Sequence, residues 1–227
     1  MISLFDPLLR SIPLVERDEP FVDLGAAGMP VLADHLRIGV SNPSAHFLKV
    51  RLGVAQRLFA AADRLPTGLR LLIKEGYRPL ALQRLYFTRR VARLREVYPS
   101  ATDAHLHELA AHYAAPPEVA AHPTGAAVDL TLTTADGMEL AMGSPVNAND
   151  ELSSGSCYTA SEFISRQARA HRDLLIGVMT HAGFVNYPSE WWHWSFGDRY
   201  WAVVTGHPHG LYGPVEESAL DQGLFRH

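Results

Sequence analysis

Two stretches of the chain carry side chains that could together hold a metal ion. His122 and Asp129 lie close together in the sequence, and His193 follows much later. A catalytic zinc needs three protein ligands of the His and Asp/Glu type at about 2.0–2.2 Å, with a fourth position open for water. We therefore predict that His122, Asp129 and His193 bind one zinc ion per chain.

The residues around Asp129 predict a turn followed by a strand. Thr124-Gly125 is typical of a turn, and residues 127–133 alternate in polarity as in a half-buried strand. The apolar members of this strand, such as Val128, would face the core, so Asp129 would point the other way. His122, on the near side of the turn, could then swing back toward Asp129.

A second strand is predicted where aromatic residues alternate, from Trp191 to Phe196. Residues three apart on a strand face opposite sides, so Glu190 must lie in the bend before this strand to approach a metal on His193. A carboxylate there could take a proton from water as a general base. Trp191 and Trp192 are predicted to form walls of a substrate pocket, with a place in the core as the alternative.

These residues also carry a resemblance to a known family. The pattern His-x-x-Gly-x-Ala-x-Asp, followed by Glu-x-x-His and preceded by Gly76-Tyr77-Arg78-Pro79, resembles the zinc D-alanyl-D-alanine dipeptidases, relatives of the zinc D,D-carboxypeptidases. The resemblance covers most of the chain, roughly from the helix before Arg78 to Trp194. In that family the matching arginine stabilises the oxyanion near the metal, so the resemblance implies this role for Arg78. From the residues alone, Arg78 could instead pair with a surface carboxylate such as Glu75.

Two positions depart from the dipeptidase pattern. The family usually has Ser two residues before its first metal-binding His, where this chain has Ala120, and Asp in a later loop, where it has Asn147. Both positions are associated in the family with the substrate's ammonium group, so the resemblance places Ala120 and Asn147 at the substrate. Either Asp150 or Glu151 replaces the lost charge, or the substrate is acylated or longer at that point. We favour the second hypothesis.

Length and composition indicate a soluble globular protein. With 227 residues, we predict a single domain over 1–227, with an irregular amino-terminal arm over 1–45 and a tail over about 205–227. Apolar residues make up 47% and charged residues 19%, which excludes the disordered class. The net charge of -4 gives no electrostatic reason to expect nucleic acid or an anionic membrane, so a small peptide is the predicted partner. The oligomeric state cannot be deduced from the sequence.

The compartment is predicted from weaker features. The single cysteine, Cys157, excludes an intramolecular disulfide framework and fits a reducing compartment. The first ten residues lack the basic and long apolar regions of a signal peptide. No apolar run approaches the ~20 residues that a transmembrane helix requires. We therefore expect a cytoplasmic protein without a membrane partner.

The remaining elements follow from hydrophobic spacing and turn residues. Helices are predicted over 45–64, 79–98 and 102–115, with a strand over 69–73 and a hairpin turn at Asp136-Gly137. A long polar loop over 143–158 precedes a helix that begins with a capping box at Thr159 and ends at Gly183. Together these predict an α+β fold, a small antiparallel sheet flanked by helices, which the resemblance also implies.

The helix predicted over 79–98 carries five arginines, which could indicate a nucleic-acid surface: Arg84, Arg89, Arg90, Arg93 and Arg95. The acidic net charge and the absence of aromatic residues between the arginines argue against this. We interpret them as a solvated helix face.

The leading hypothesis is a zinc metallopeptidase that cleaves a D-Ala-D-Ala-type dipeptide or a closely related small peptide, with Glu190 as general base. A first alternative is a D,D-carboxypeptidase or endopeptidase acting on longer or N-blocked peptidoglycan peptides. A second alternative, from another class, is a zinc-binding module without turnover. The presence of both Glu190 and Arg78 favours catalysis, because a structural zinc more often has four protein ligands and no base.

Overall fold

The computed structural model describes residues 2–223, so Met1 of the predicted arm and residues 224–227 of the predicted tail lie outside the described residues. The helices in this range are α1 (Pro7–Ser11), α2 (Leu52–Ala62), α3 (Leu80–Val97), α4 (Asp103–Ala111), α5 (Asp150–Ser153), α6 (Arg166–His181), α7 (Arg199–Thr205) and α8 (Glu217–Asp221). The strands are β1 (Phe21–Asp23), β2 (Leu32–Ala33), β3 (Lys49–Arg51), β4 (Leu69–Glu75), β5 (Ala127–Thr134), β6 (Val185–Asn186) and β7 (His193–Ser195).

A five-stranded sheet forms the centre of the fold, in the order β2-β4-β5-β7-β6. Strands β4, β5, β7 and β6 pair antiparallel, which confirms the predicted α+β fold with helices against a small sheet. The edge strand β2 differs from the prediction, because it pairs with β4 in parallel. The chain between them includes α2, and a parallel pair requires such a crossover. Strands β1 and β3 form a separate antiparallel pair.

The main core lies on one face of this sheet and includes buried side chains of α2 and α6. Its members include Val54, Leu58, Ile73, Val128, Leu130, Leu132, Leu175 and Met179. The apolar residues of β5 therefore face the core as predicted, and Asp129 points to the opposite face. Strand β5 is more buried than the predicted half-buried strand, since Thr131 and Thr133 are also enclosed.

The helix predicted over 45–64 begins later than expected, at Leu52. Residues Lys49–Arg51 form β3 instead, with Val50 opposite Val22 of β1. Val50 and Phe47 still reach the core, but from the segment before the helix. Spacing alone could not reveal this boundary, because the strand that pairs with β3 comes from the amino-terminal arm.

The capping box predicted at Thr159 is wrong. Helix α6 begins at Arg166, and the Ser165 hydroxyl accepts a hydrogen bond from the Ala168 amide at 3.1 Å. The Thr159 hydroxyl instead donates to Asn186 at 2.5 Å, and the Thr159 amide donates to the Pro188 carbonyl at 2.9 Å. Thr159 therefore supports the segment that leads to Glu190.

Helices α3 and α4 match the predictions for 79–98 and 102–115 within a few residues at their ends. They pack together through buried Leu94, Leu106 and Ala110. Helix α3 begins directly after Arg78 and Pro79. Successive side chains on one face of the helix therefore lie at increasing distance from Arg78.

The other predicted elements are present with different lengths. The strand over 69–73 extends to Glu75 as β4. The turn at Asp136-Gly137 has φ of 88° at the glycine, but the returning segment makes only an isolated bridge, between Thr133 and Glu139. The polar loop over 143–158 contains the short helix α5. Within residues 2–223, none of the helices combines the length and apolar character that a membrane crossing requires.

Candidate metal centre and active site

His122 lies on a short 3-10 helix, His122–Thr124, directly before β5. Gly125 follows with φ of 72°, in the left-handed region that favours glycine. A Cβ atom at this position would also lie 2.4 Å from the ring of Phe21. Glycine therefore allows the tight turn that brings His122 beside Asp129.

Asp129 and His193 are direct partners on the antiparallel strands β5 and β7. Side chains of opposite residues in such a pair share one face of the sheet. The Oδ1 atom of Asp129 lies 3.0 Å from Nδ1 of His193 and 3.4 Å from Nε2 of His122. Sheet register and the Gly125 turn together assemble the three predicted ligands.

The donor set fits a zinc ion. One ligand atom from each of His122, Asp129 and His193 lies within 4.8 Å of the other two. Tetrahedral zinc with ligands at about 2.0–2.1 Å keeps them roughly 3.3 Å apart, close to the separations found here. Nδ1 of His122 lies 2.6 Å from the Gly76 carbonyl oxygen, which suits an N–H donor at Nδ1 and leaves Nε2 for a metal.

Asp129 is buried, yet its surroundings favour the charged form. Burial by itself raises the pKa of Asp129, but the adjacent His122 and His193 outweigh burial and hold the pKa well below its usual range. The ionised carboxylate is the form that binds a metal. The site therefore keeps Asp129 ready as a ligand.

Glu190 lies in a bend after the turn at Pro188-Ser189, as predicted. Its amide donates to the Tyr187 carbonyl at 2.9 Å, and its own carbonyl accepts from the amide of His193 at 3.2 Å. The side-chain amide of Asn186 donates to the carbonyls of both Glu190 and His193, at 3.0 and 2.9 Å. Asn186 therefore clamps the bend, and the strand begins at His193 rather than at Trp191.

The Glu190 carboxyl group faces the candidate metal ligands. Its Oε2 lies 4.0 Å from Nδ1 of His193, and its side chain is 24% exposed. The pKa of Glu190 is raised to about 7, mainly because burial disfavours the charged carboxylate; the charge of His193 opposes this shift and that of Asp129 adds to it. A group with a pKa near neutrality can both accept and donate a proton.

Arg78 lies on the other side of Asp129, with Nη2 3.9 Å from Oδ2. Its Nε and Nη2 donate to the two oxygens of Glu75 at 2.9 and 2.6 Å, and Nη1 donates to Gln83 at 2.9 Å. Burial by itself lowers the pKa of Arg78, but the Glu75 charge outweighs burial and raises it. The predicted pairing with Glu75 is present, although Glu75 is buried rather than at the surface.

The sequence patterns did not predict the residues that hold Arg78 in place. Asn42 donates to Glu75 and to the Tyr77 carbonyl, both at 2.8 Å, and Gln83 donates to the Ala115 carbonyl at 2.8 Å. Asn42, Glu75 and Gln83 are each 1% exposed. Asn42 comes from the predicted amino-terminal arm, far from Arg78 in the sequence. Only the three-residue spacing of Glu75 and Arg78 could have indicated a partner of Arg78.

The four residues predicted to contact substrate lie in different surroundings. Ala120, Asn147 and Trp192 line one cavity with the candidate metal ligands. Trp191 is not among the lining residues; its Nε1 donates to Ser144 at 3.0 Å, and Arg172 lies over its ring. Trp191 therefore fits the core alternative. The Asn147 side chain donates to the Gly39 carbonyl at 2.7 Å.

Neither predicted replacement for the missing acidic residue reaches the cavity. Asp150 accepts hydrogen bonds from the hydroxyls of Tyr113 and Tyr158. Glu151 lies 3.3 Å from Arg90 and is exposed. Neither carboxylate belongs to the cavity lining among the described residues.

The cavity has a volume of about 480 Å³. Its inner end holds His122, Asp129, His193 and Glu190, and it extends along α3 to Arg93. It is large enough for a small ligand, and the part along α3 is lined by Arg89, Arg90 and Arg93.

Relatives with similar sequences are D-alanyl-D-alanine dipeptidases. The protein of that name from Synechocystis is 28% identical over 249 residues, covering 93% of this chain and 99% of the relative. The one from Enterococcus faecium is 38% identical over 79 residues, 34% of this chain and 37% of the relative.

Two solved structures are similar at a lower level. VanYB in complex with D-Alanine-D-Alanine has 19% identity, a TM-score of 0.40 and coverage of 84% of this chain and 87% of that one. The LdcB LD-carboxypeptidase has 18% identity, a TM-score of 0.44 and coverage of 85% and 76%.

A family model described as D-ala-D-ala dipeptidase matches residues 45–208. The match includes Arg78, the three candidate metal ligands and Glu190, and it extends over more than half of the chain. The resemblance seen in the sequence motifs is thereby confirmed. The chain belongs to the D-ala-D-ala dipeptidase family and is a zinc metallopeptidase.

Proposed function

We propose that this protein hydrolyses a D-Ala-D-Ala-type dipeptide or a closely related small peptide, with one zinc ion per chain. The family, the name of the Synechocystis relative and the His-Asp-His donor set support the proposal. His122, Asp129 and His193 hold the zinc. When bound, zinc polarises the substrate carbonyl and lowers the pKa of water.

Glu190 moves the proton. Its carboxylate takes a proton from the attacking water as the water oxygen forms a bond to the carbonyl carbon of the substrate. It then returns that proton to the amine nitrogen as the C–N bond breaks. Burial of Glu190 raises its pKa, which favours return of the proton to the leaving amine.

Arg78 stabilises the negative charge that develops on the carbonyl oxygen. A guanidinium has five N–H donors, and three of those on Arg78 are engaged by Glu75 and Gln83. The two that are left are available to the oxyanion. Since the guanidinium is fixed before substrate arrives, little reorganisation accompanies charge development.

Ala120, Asn147 and Trp192 contact the substrate in this proposal, because they line the cavity beside the catalytic groups. None of the three carries a charge that would pair with a substrate ammonium. The proposed pocket therefore gives a free dipeptide no charged partner at these positions.

The observation that carries the proposal is the position of the Glu190 carboxyl group, whose Oε2 lies 4.0 Å from a histidine of a three-ligand metal set. Glu190→Gln keeps the shape of the side chain and removes the base. Metal analysis should find one zinc per chain in wild type and variant, while turnover of D-Ala-D-Ala or an acylated form falls at least ~100-fold.

Glu162→Gln is the matched control, because Glu162 is exposed and lies outside the cavity lining. It should retain wild-type turnover. Undiminished turnover by Glu190→Gln would refute the proposed base. A zinc-loaded wild type that cleaves neither free, acylated nor longer D-Ala-D-Ala peptides would refute the proposed reaction.

A second candidate is a D,D-carboxypeptidase or endopeptidase that acts on longer or N-blocked peptides. The cavity favours it, because the lining continues along α3 well beyond the catalytic groups. The ratio of kcat/KM for N-acylated and free D-Ala-D-Ala separates the two candidates. The non-catalytic alternative is not retained, because the family is one of peptidases.

Two broader expectations stay predictions from the sequence. One is a single folding domain, which a single cooperative unfolding transition would support. The other is a cytoplasmic location, which fractionation of host cells would test; recovery of the protein outside the cell membrane would refute it.

A further inference from the structure

One wall of the cavity is basic. Gln83, Tyr86, Arg90 and Arg93 follow one another along α3 at helical spacing, and all four line the cavity. Arg89 flanks this stripe and also lines the cavity. Arg89 and Arg93 are exposed, as predicted for a solvated helix face, and Arg90 is half-buried, but all three also line the cavity.

The guanidinium groups of the wall have few partners. Within residues 2–223, neither Arg89 nor Arg93 forms a hydrogen bond or an ion pair. Arg90 lies over the Tyr113 ring, and its Nη2 is 3.3 Å from Glu151. The Nε of Arg90 is buried without a hydrogen-bond partner in the described chain. Guanidinium groups that line a cavity and have no protein acceptors are suited to an anionic ligand.

The wall lies beyond the reach of a dipeptide at the catalytic groups. An α-helix rises about 1.5 Å per residue, so Arg89 and Arg93 are roughly 14 and 20 Å along α3 from Leu80, which follows Arg78 closely. A fully extended dipeptide spans at most about 7 Å. Even with side chains leaning toward the helix amino terminus, the arginines meet a ligand longer than two residues.

The two parts of the lining also differ in charge. The catalytic part has charges of both signs, from Arg78, Asp129 and Glu190, whereas the charged residues that α3 adds are Arg89, Arg90 and Arg93. A peptide whose scissile bond lies at the inner end would place its amino-terminal or acyl portion, or a side chain of it, along α3. An acidic group there would meet unpaired guanidinium groups, and a free ammonium would meet repulsion.

We propose that the α3 wall is an anion subsite, in which Arg89 and Arg93, supported by Arg90, bind a carboxylate of a substrate that extends about two residues beyond the cleaved dipeptide. This inference rests on the proposed function and narrows its substrate class to acidic acyl or peptidyl derivatives of D-Ala-D-Ala. The planar fork of arginine donors matches a carboxylate.

The test uses pairs of peptides that differ only in charge. Succinyl, succinyl-glycyl and succinyl-glycyl-glycyl groups are attached to D-Ala-D-Ala, each beside its succinamoyl counterpart, in which an amide replaces the carboxylate. At the length that reaches the wall, kcat/KM should be about tenfold higher for the acid, equivalent to about 1.4 kcal/mol. The preference should shrink with added salt, because the arginines are partly exposed.

Variants assign the preference to specific residues. Arg89→Gln/Arg93→Gln should bring the ratio of acid to amide close to one. Arg84→Gln is the matched control, since it removes one positive charge from the same helix at a position that does not line the cavity. Arg84→Gln should keep the wild-type ratio. An equal loss in Arg84→Gln and in the double variant would overturn the proposal.

Equilibrium binding gives a readout independent of turnover. Calorimetric titration of zinc-loaded Glu190→Gln with the same peptides should show about tenfold tighter binding of the acid, lost when Arg89 and Arg93 are also replaced. If wild type cleaves D-Ala-D-Ala peptides but treats acid and amide alike at every length, the subsite is refuted and the proposed function stands. If no peptide is cleaved, the proposed function fails, and the titration alone decides the subsite: equal affinities refute it.

Discussion

Replacing Glu75 with Gln should disable Arg78 without removing it. Glu75 is buried and accepts from Arg78 at 2.9 and 2.6 Å and from Asn42 at 2.8 Å. A glutamine has one acceptor oxygen in place of two, so in either orientation its NH₂ group would face a donor of Arg78, and in one of them also the donor of Asn42. The guanidinium would lose its fixed position beside the oxyanion.

The geometry sets the expected losses of stability and of kcat in Glu75→Gln. Removing one partner of a buried ion pair costs about 3–5 kcal/mol. Arg78 keeps its hydrogen bond to Gln83, and Asp129 lies 3.9 Å away. We therefore expect the low end, a loss of about 3 kcal/mol in the free energy of unfolding. Loss of one oxyanion donor lowers kcat by about 10²–10³, and a displaced donor should cost less, roughly 10-fold to 100-fold.

The assay separates positioning from general destabilisation. Kinetics are measured on folded protein at full zinc occupancy, with the peptide that wild type cleaves fastest. The loss should fall on kcat with little change in KM, since the donors act in the transition state. In a double-mutant cycle, Arg78→Ala should lower kcat much less in the Glu75→Gln variant than in wild type, because the two residues act as one unit.

Glu139→Gln serves as the control, because Glu139 also pairs with a buried cation, Lys74, but is itself 43% exposed. It should leave kcat unchanged. The positioning role of Glu75 would be refuted if Glu75→Gln lost stability yet kept wild-type kcat. It would also be refuted if Arg78→Ala lowered kcat by the same factor in wild type and in Glu75→Gln.

Two further predictions concern the elements around the site. Ser165→Ala removes the cap of α6 and should lower the free energy of unfolding by about 1 kcal/mol in urea denaturation; an unchanged midpoint would contradict this. Gly125→Ala places a Cβ at a φ of 72° and 2.4 Å from the Phe21 ring, so it should destabilise by more than about 1–2 kcal/mol and weaken zinc binding. Gly137→Ala, with φ of 88° and open space, measures backbone strain alone; equal effects at both glycines would refute the steric part.

Local patterns predicted the centre of the sheet well. Alternating polarity over 127–133 reflects which face of β5 is apolar, so the strand and the core positions of Val128 and Leu130 are confirmed. The same alternation set Asp129 on the opposite face, where the structure brings it together with His122 and His193. These features depend on neighbours in sequence and on residue type.

Other boundaries depend on partners that are distant in sequence. Helix α2 begins late because Lys49–Arg51 pairs with β1, and β7 begins at His193 because Asn186 holds the preceding bend. The arginines of α3 have the spacing of one helix face, but spacing does not show whether that face meets solvent or a cavity. Glu75 could not be identified as buried, because its enclosure comes from Asn42 in the irregular arm.

The direct pairing of Asp129 with His193 ties metal binding to correct strand assembly. Side chains alternate between the two faces of a sheet, so a slip of β7 by one residue would place Trp194 or Trp192 opposite Asp129 and turn the imidazole away. Only the native alignment offers a metal all three ligands. If these residues hold zinc as proposed, an ion that binds this alignment and no shifted one would stabilise it by mass action, so the same three ligands would link metal loading to correct strand pairing.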